Sequence, residues 1–174
     1  MWLPDSGFPS SVREKSGRNS RKSRRRKVSF EFGFQVPGKA RGAARPRFMR
    51  NGHTYIPDED RRYRAFVQSM ARKAIAGTQY TGKDALSFAV DILVCCKVPV
   101  SWTKAKKAAA LRQEISPGKP DADNVAKIVL DSLNDIAWVD DSKVSILTVR
   151  KQYSDAYEGI RVWVEAEPTD RRKA

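Results

Sequence analysis

The sequence predicts one small α/β (α+β) domain in which helices pack on a mixed β-sheet. Residues 28–36 and 86–98 alternate apolar and polar side chains with the period of two that half-buried strands show. Two further segments, beginning near residues 58 and 123, place apolar side chains every three or four positions, as amphipathic helices do. Because strands and helices interleave without an internal repeat and without strict βαβ alternation, we expect a mixed sheet. The predicted order is strand, hairpin, helix, strand, two helices and two strands.

A hairpin is expected after the first strand, within residues 46–56. Its turn is assigned to Asn51-Gly52, a dipeptide that tolerates the positive φ angles of a tight turn. A helix then begins at Pro57-Asp58 and ends near Gly77. The long central strand at 86–98 follows it.

The C-terminal half is predicted to contain two helices and then two strands. Residues 103–114 are rich in Ala and Lys and permit a helix, which Pro117-Gly118 ends. A second helix is expected from about Asp123 to Asn134, with its apolar side chains on one face. The last two strands, at roughly 144–152 and 160–166, are joined by a polar turn.

The charge of the chain is strongly basic and unevenly distributed. Its 174 residues include 34 Lys and Arg against 20 Asp and Glu, which gives a formal net charge of +14. Residues 1–27 hold nine basic and two acidic side chains, or +7, among many Ser, Gly and Pro. This predicts a basic disordered tail over 1–27, a folded domain over 28–168 and a short polar tail over 169–174. The basic surplus indicates a polyanionic partner, of which nucleic acid is the commonest.

Outside the first tail, basic side chains concentrate in two regions of the predicted domain. Such groups neutralise phosphates and add affinity that does not depend on base sequence. The candidate nucleic-acid contacts are Lys39, Arg41, Arg45, Arg47 and Arg50 in one region, Lys104, Lys106 and Lys107 in the other, and Lys119 beside the acidic residues described below.

Several classes of protein do not fit this sequence. The longest apolar run, Ile92 to Cys96, is far too short for a membrane span. The first residues lack the basic-then-apolar pattern of a secretory signal, so we expect a cytoplasmic protein. The two cysteines, Cys95 and Cys96, are adjacent and are expected to be reduced thiols. Together with the lone His53 they do not make a zinc site.

The most informative segments are KPDADNVAK at residues 119–127 and WVDDS at residues 138–142, which place four aspartates within 21 positions. Pro120 holds the preceding residue out of helical geometry, so Asp121 is expected in extended chain. Asp121 and Asp123 then point to one side only if the helix begins at or after Asp123, where Asp favours the N-cap position.

The chain after this helix is expected to pass beneath the sheet at Trp138 and Val139 and to return to a neighbouring strand end. If that end lies beside the helix start, the acids meet in a cluster of three, which repels itself unless a cation is present. Hard carboxylate oxygens select Mg²⁺ or Mn²⁺. The predicted cluster contains Asp121, Asp123 and either Asp140 or Asp141.

Lys127 lies one helical turn after Asp123 on the same face, so it is a candidate to hold a phosphate oxygen or to screen the acids. A purely structural interpretation stays open, in which Asp121 is a turn residue, Asp123 an N-cap and Asp140-Asp141 an exposed loop pair. The combination of one acidic patch with a basic surface favours metal-dependent hydrolysis of nucleic acid, because the surface attracts phosphate and the patch holds the metal.

These residues resemble the RusA-type Holliday junction resolvases of bacteria, prophages and phages. The resemblance is most specific in the acidic block, and it covers about residues 28 to 166. Its elements are the segment 119–127, Asp131-Ser132-Leu133, Trp138, Asp140-Asp141 and Val144, with Pro37-Gly38-Lys39 and Arg45-Pro46-Arg47-Phe48 upstream and Lys151 on a later strand.

The resemblance implies a small RusA-like homodimer that nicks two strands of a four-way DNA junction symmetrically, with Mg²⁺ or Mn²⁺ and no organic cofactor, in DNA recombination and repair. It also implies a cytoplasmic enzyme acting on the nucleoid DNA of a bacterial host. The essential acids of the family fall on Asp121, Asp123 and Asp141, with Asp140 as an accessory ligand. The functional lysine of the family falls on Lys127.

The alternative is a basic DNA- or RNA-binding protein without catalytic activity, whose aspartates only cap a helix. Such a protein would bind with a steep salt dependence, and Mg²⁺ would not change the DNA. The acidic block argues against it, because carboxylates beside a phosphate repel it when no metal is present.

Overall fold

The computed structural model describes residues 30–44, 47–48, 54–55, 57–78, 85 and 87–167. Both predicted tails, 1–27 and 169–174, and their boundaries with the predicted domain lie outside these residues. The secondary structure consists of β1 (Phe30–Pro37), β2 (Arg47–Phe48), β3 (Thr54–Tyr55), α1 (Asp58–Ala76), β4 (Ser87–Lys97), α2 (Lys104–Leu111), α3 (Ala122–Leu133), one 3-10 turn (Asp141–Lys143), β5 (Val144–Ser154) and β6 (Gly159–Glu167).

Four strands form a mixed sheet in the order β1-β6-β4-β5. β4 pairs with β5 in parallel, and β6 pairs antiparallel with both β1 and β4. The predicted mixed sheet with helices is therefore confirmed. The predicted hairpin is present as the antiparallel pair β2 and β3, while its turn at Asn51-Gly52 lies outside the described residues.

The core lies on one face of the sheet, because the alternating side chains of the strands are in register. On β4, Phe88, Val90, Ile92 and Val94 are all buried, and the buried residues of β6 stand opposite them. α1 and α3 cover this face, and the ion pair of Arg64 with Asp131, at 2.8 Å, joins the two helices. The apolar alternation in the sequence thus identifies the face that the helices cover.

α3 runs back along the sheet from the end of β4 to its beginning. Near the end of β4, the Cys96 thiol lies 3.8 Å from the carbonyl oxygen of Lys119, just before α3. Near the beginning of β4, the Trp138 ring packs on Phe88 with centroids 5.2 Å apart, just after α3. The chain therefore crosses from β4 to the parallel β5 through α2 and α3, as a parallel pair requires.

Three sequence expectations need correction. α3 begins at Ala122 rather than Asp123, because Asp121 takes the N-cap position and its carbonyl accepts the first helical hydrogen bond from Val125, at 3.1 Å. α2 is shorter than the predicted 103–114, since Gln113 has a positive φ of 64° that ends the helix. Val139 is 57% exposed rather than beneath the sheet, while its neighbour Trp138 is fully buried.

Other expectations hold for the described part of the chain. α1 ends at Ala76, just before Gly77, as predicted. Cys95 and Cys96 are both free thiols. None of the helices in the described residues is long and apolar enough to cross a membrane.

Candidate functional site

Asp121 and Asp123 both lie at the N-terminus of α3, two positions apart in the chain. Asp121 occupies the N-cap with extended backbone (φ −68°, ψ 139°), and its side chain makes no capping hydrogen bond. Asp123 lies in the first turn, and both residues are exposed. The structural interpretation of Asp123 as the N-cap is therefore wrong, and the fold does not use the Asp121 carboxylate as a cap. Both carboxylates are available to a ligand.

The segment 118–120, which precedes Asp121, is bound to the sheet by hydrogen bonds. The Lys151 ammonium on β5 donates hydrogen bonds to the carbonyl oxygens of Gly118 and Pro120, each at 3.0 Å. The Cys96 thiol on β4 meets the carbonyl between them, that of Lys119. Burial raises the pKa of the Cys96 thiol, although the nearby Lys151 charge lowers it, so the group keeps its proton and can donate. The Lys119-Pro120 peptide bond is cis.

The basic segment after β1 is fastened to the other side of the same helix start. The Ala43 amide donates to the carbonyl oxygen of Asn124 at 2.8 Å, and the Ala44 amide donates to Asp60 Oδ2 at 2.7 Å. Asp60 is 1% exposed, and the Arg41 guanidinium lies 3.7 Å from its other carboxylate oxygen. A buried carboxylate on α1 therefore places this segment next to Asp123.

Several of the predicted nucleic-acid contacts lie at this end of the sheet. Lys39 and Lys119 are exposed, as is Lys127 on α3, whereas Arg41 is half-buried. On α2, Lys104 and Lys106 are exposed and Lys107 is half-buried. The Lys106 ammonium lies 4.1 Å from the centre of the Trp102 ring, which meets Tyr153 near the end of β5. Arg45 and Arg50 lie outside the described residues, and Arg47 is described only as part of the β2 backbone.

Asp140 and Asp141 lie at the opposite end of β5. Asp141 begins the 3-10 turn that leads into β5, and Asp140 Oδ1 accepts a hydrogen bond from the Ser142 amide at 2.9 Å. Hydrogen bonds from the Ser142 side chain and backbone hold the pKa of Asp140 below its ordinary value. Asp140 is exposed, as the interpretation of an exposed loop pair expects, and it also caps the 3-10 turn that follows. Asp141 is half-exposed.

One chain does not bring all four aspartates together. Val144 and Lys151 are seven strand residues apart, which is about 23 Å. Lys151 contacts the residue before Asp121, while Asp141 precedes Val144 in the 3-10 turn. Among the described residues, no three His, Cys, Asp or Glu side chains are grouped so that they could hold a metal ion. The expected return to the helix start is wrong for a single chain, because α3 carries the chain to the other end of the sheet.

The roles of two residues that shape this end of the sheet do not follow from the predicted site. Lys151 is part of the family resemblance, but nothing in its local pattern indicates that it binds a loop 31 residues away. Asp60 carried a usable signal, because it lies in register with the buried Tyr63, Val67 and Ala71 at helical spacing. An acid on the apolar face of a helix indicates a buried hydrogen-bonding role.

Comparison with known proteins assigns the chain to a family. The family model described as Endodeoxyribonuclease RusA matches residues 37–165. The chain belongs to the RusA endodeoxyribonuclease family. It is also similar to the uncharacterized protein YqaN of Bacillus subtilis (strain 168), with 34% identity over 128 residues, covering 70% of this chain and 87% of that protein. The resemblance read from the acidic block is confirmed.

Proposed function

We propose that this protein is a divalent-metal-dependent endodeoxyribonuclease that nicks two strands of a four-way DNA junction symmetrically. The observation that carries the proposal is the pair of free carboxylates, Asp121 and Asp123, at a helix start surrounded by basic side chains. Membership of the RusA endodeoxyribonuclease family supports hydrolysis of DNA as the reaction. Such a protein would act in DNA recombination and repair.

The donor set fits Mg²⁺ or Mn²⁺. Carboxylate oxygens are the ligands that these hard cations prefer, and the side chains of Asp121 and Asp123 are exposed. When bound, the ion supplies an activated water and stabilises charge on the phosphate. Asp121 and Asp123 hold it, while Lys127, one turn further along α3, binds a non-bridging phosphate oxygen and orients the scissile bond.

The two pairs of aspartates meet if two chains assemble around a two-fold axis near Ile146. Such an axis exchanges position 151 of β5 with position 141 in the 3-10 turn before β5, so it brings Asp141 and Asp140 of one chain beside the Asp121 end of the other. The complete metal set then consists of Asp121 and Asp123 from one protomer and Asp141, with Asp140 as accessory, from its partner. A homodimer has two such sites, one for each nick.

The surface of β5 supports this assembly. β5 is an edge strand of the described sheet, so it lacks a second neighbouring strand there. Its first half carries two exposed apolar side chains, Ile146 at 55% and Leu147 at 43%. Exposed apolar edge strands are sites of association with another chain.

The basic residues around the helix start supply the DNA contacts. Each ammonium or guanidinium that meets a phosphate releases counterions, so binding weakens steeply with salt. The contacts proposed are Lys39, Arg41, Arg45, Arg47, Lys104, Lys106, Lys107 and Lys119.

Cleavage of a labelled four-way junction by the full chain tests the metal and the acids together. We expect nicks with Mg²⁺ or Mn²⁺, none with EDTA, and none from Asp123→Asn, which retains junction binding. Asp135→Asn is the matched control, because it makes the same change at an exposed turn aspartate with a positive φ of 62° that Asn tolerates. Equal cleavage by Asp123→Asn and wild type contradicts the proposal and leaves a DNA- or RNA-binding protein as the better account.

A further inference from the structure

We propose that Lys151 is a positioning residue, which fixes the place of Asp121 by binding the carbonyl oxygens of Gly118 and Pro120. It does not touch the reacting phosphate in this proposal. Its function is to hold the loop from which the metal-binding carboxylate projects. The effect of Lys151 on metal binding rests on the proposed nuclease function. The contact of Lys151 with the carbonyl oxygens of Gly118 and Pro120, which we call the clamp, can be measured without cleavage.

The geometry of the contact is specific. Lys151 pairs in register with the buried Val94, on the side of the sheet that the helices cover. Its ammonium has three donors, and two of them are directed at oxygens on either side of Lys119, each at 3.0 Å. Hydrogen bonds from a charged donor are shorter and stronger than those between neutral groups. Together with the Cys96 thiol on the middle carbonyl, the sheet meets three successive carbonyl groups.

The hydrogen bonds of the clamp lie directly before Asp121 in the chain, so they affect the position of its carboxylate. Asp121 follows Pro120 directly, and its extended backbone begins α3. Its side chain makes no capping bond, so the carboxylate is not held by the helix it precedes. The helix start is held from the other side through the Asn124 carbonyl and the Ala43 amide. Loss of Lys151 therefore frees the side of the loop that carries Asp121, while α3 keeps its contacts with α1.

The neutral variant Lys151→Met removes both hydrogen bonds and keeps the length of the side chain. Lys151→Arg keeps the charge and two or more donors. Lys97→Met is the matched control, because Lys97 is an exposed lysine at the end of β4, at the same end of the sheet. All three changes are made in the full chain.

The first readout is hydrogen exchange at the Val125 amide, whose bond to the Asp121 carbonyl at 3.1 Å closes the first turn of α3. We expect exchange about tenfold faster in Lys151→Met, a factor that one lost charge-assisted hydrogen bond accounts for. Exchange in β4 and β6 stays unchanged, and Lys151→Arg and Lys97→Met match wild type. Unchanged exchange at Val125, or a uniform rise across the whole chain, overturns the proposal. If Lys151→Met does not fold, Lys151→Gln replaces it with the same expectation.

The second readout is the metal requirement of junction cleavage. In Lys151→Met we expect the Mn²⁺ concentration for half-maximal cleavage to rise by about tenfold, since the misplaced carboxylate binds the ion less well. Junction affinity in EDTA stays within about twofold of wild type, because in this proposal Lys151 binds the carbonyl oxygens of Gly118 and Pro120 and no phosphate. A lower affinity with an unchanged metal requirement assigns Lys151 to DNA binding and overturns the proposal. A wild type without nuclease activity contradicts the proposed function alone, and the exchange result still decides the clamp.

Discussion

If each metal site takes residues from both chains of the dimer, two variants that are inactive alone should recover cleavage activity when they are mixed. In the proposed dimer, Asp121→Asn damages the site of its own chain, whereas Asp141→Asn damages the site of its partner. Homodimers of either variant therefore have no intact site. A mixed dimer has one site with both changes and one site with none, so it regains half of its activity.

The expected recovery follows from random pairing. An equal mixture contains one half mixed dimers with one good site each, so nicking returns to about a quarter of the wild-type value. The assay is junction cleavage in Mg²⁺ after the two purified variants have been unfolded and refolded together. The products are single nicks rather than paired ones, because each mixed dimer has one working site.

The matched control is a mixture of Asp121→Asn with Asp123→Asn. Both changes fall on the same carboxylate pair, so every dimer, mixed or not, has two damaged sites and the activity does not return. Recovery in this control, or no recovery in the first mixture when mixed dimers are demonstrated by mass spectrometry, refutes the shared site.

Three further predictions concern the parts of the structure around the site. Leu147→Asp on the exposed edge of β5 is expected to raise the dissociation constant of the dimer by at least about tenfold in sedimentation experiments. The change removes apolar contact area and places two like charges across the two-fold axis. An unchanged dissociation constant shows that the interface lies elsewhere. Asp60→Ala leaves the Ala44 amide without its 2.7 Å partner and removes one of the two carboxylates near the Arg41 guanidinium, the other being Glu59 at 2.6 Å. We therefore expect a loss of about 1–3 kcal/mol in the free energy of unfolding by urea. An unchanged midpoint contradicts a structural role for the Asp60 carboxylate. Burial raises the pKa of Tyr157 to about 12, above its ordinary value of 10.0, so the stability it contributes is complete below pH 10 and is lost as the pH rises toward 12. Absorbance at 295 nm should show a titration near pH 12 that Tyr157→Phe removes. An absorbance change near pH 12 that is unaltered in Tyr157→Phe contradicts the assignment.

The sequence predicted the elements well because their periodicity is a direct consequence of burial. β4 alternates along its length since one face lies under α1 and α3. The order of the strands was not predictable in the same way. β6 lies between β1 and β4, and both of its neighbours show the same alternation, so the apolar pattern alone does not distinguish one partner from the other.

The positions of the four aspartates show which features of the site the local sequence pattern does not predict. The pattern around Asp121 and Asp123 correctly placed both acids at a helix start, because Pro120 and the helix signal are neighbours in sequence, although it placed that start at Asp123 rather than Ala122. Whether Asp141 lies near Asp121 depends on the direction of α3, which is set by tertiary packing. A helix of 12 residues spans about 18 Å, and here it carries the chain to the far end of β5. The sequence supplied the ligand candidates, whereas their separation in one chain emerged only from the packing.

Metal-dependent cleavage of junctions is tested by comparing a four-way junction with a linear duplex of the same sequence, each incubated with the wild-type protein in Mg²⁺ and in EDTA. We expect paired, symmetric nicks in the junction that require Mg²⁺, and little cleavage of the duplex. Binding of both DNAs without cleavage in any divalent metal would contradict this expectation, and the four aspartates would then be caps and turn residues of a DNA-binding protein.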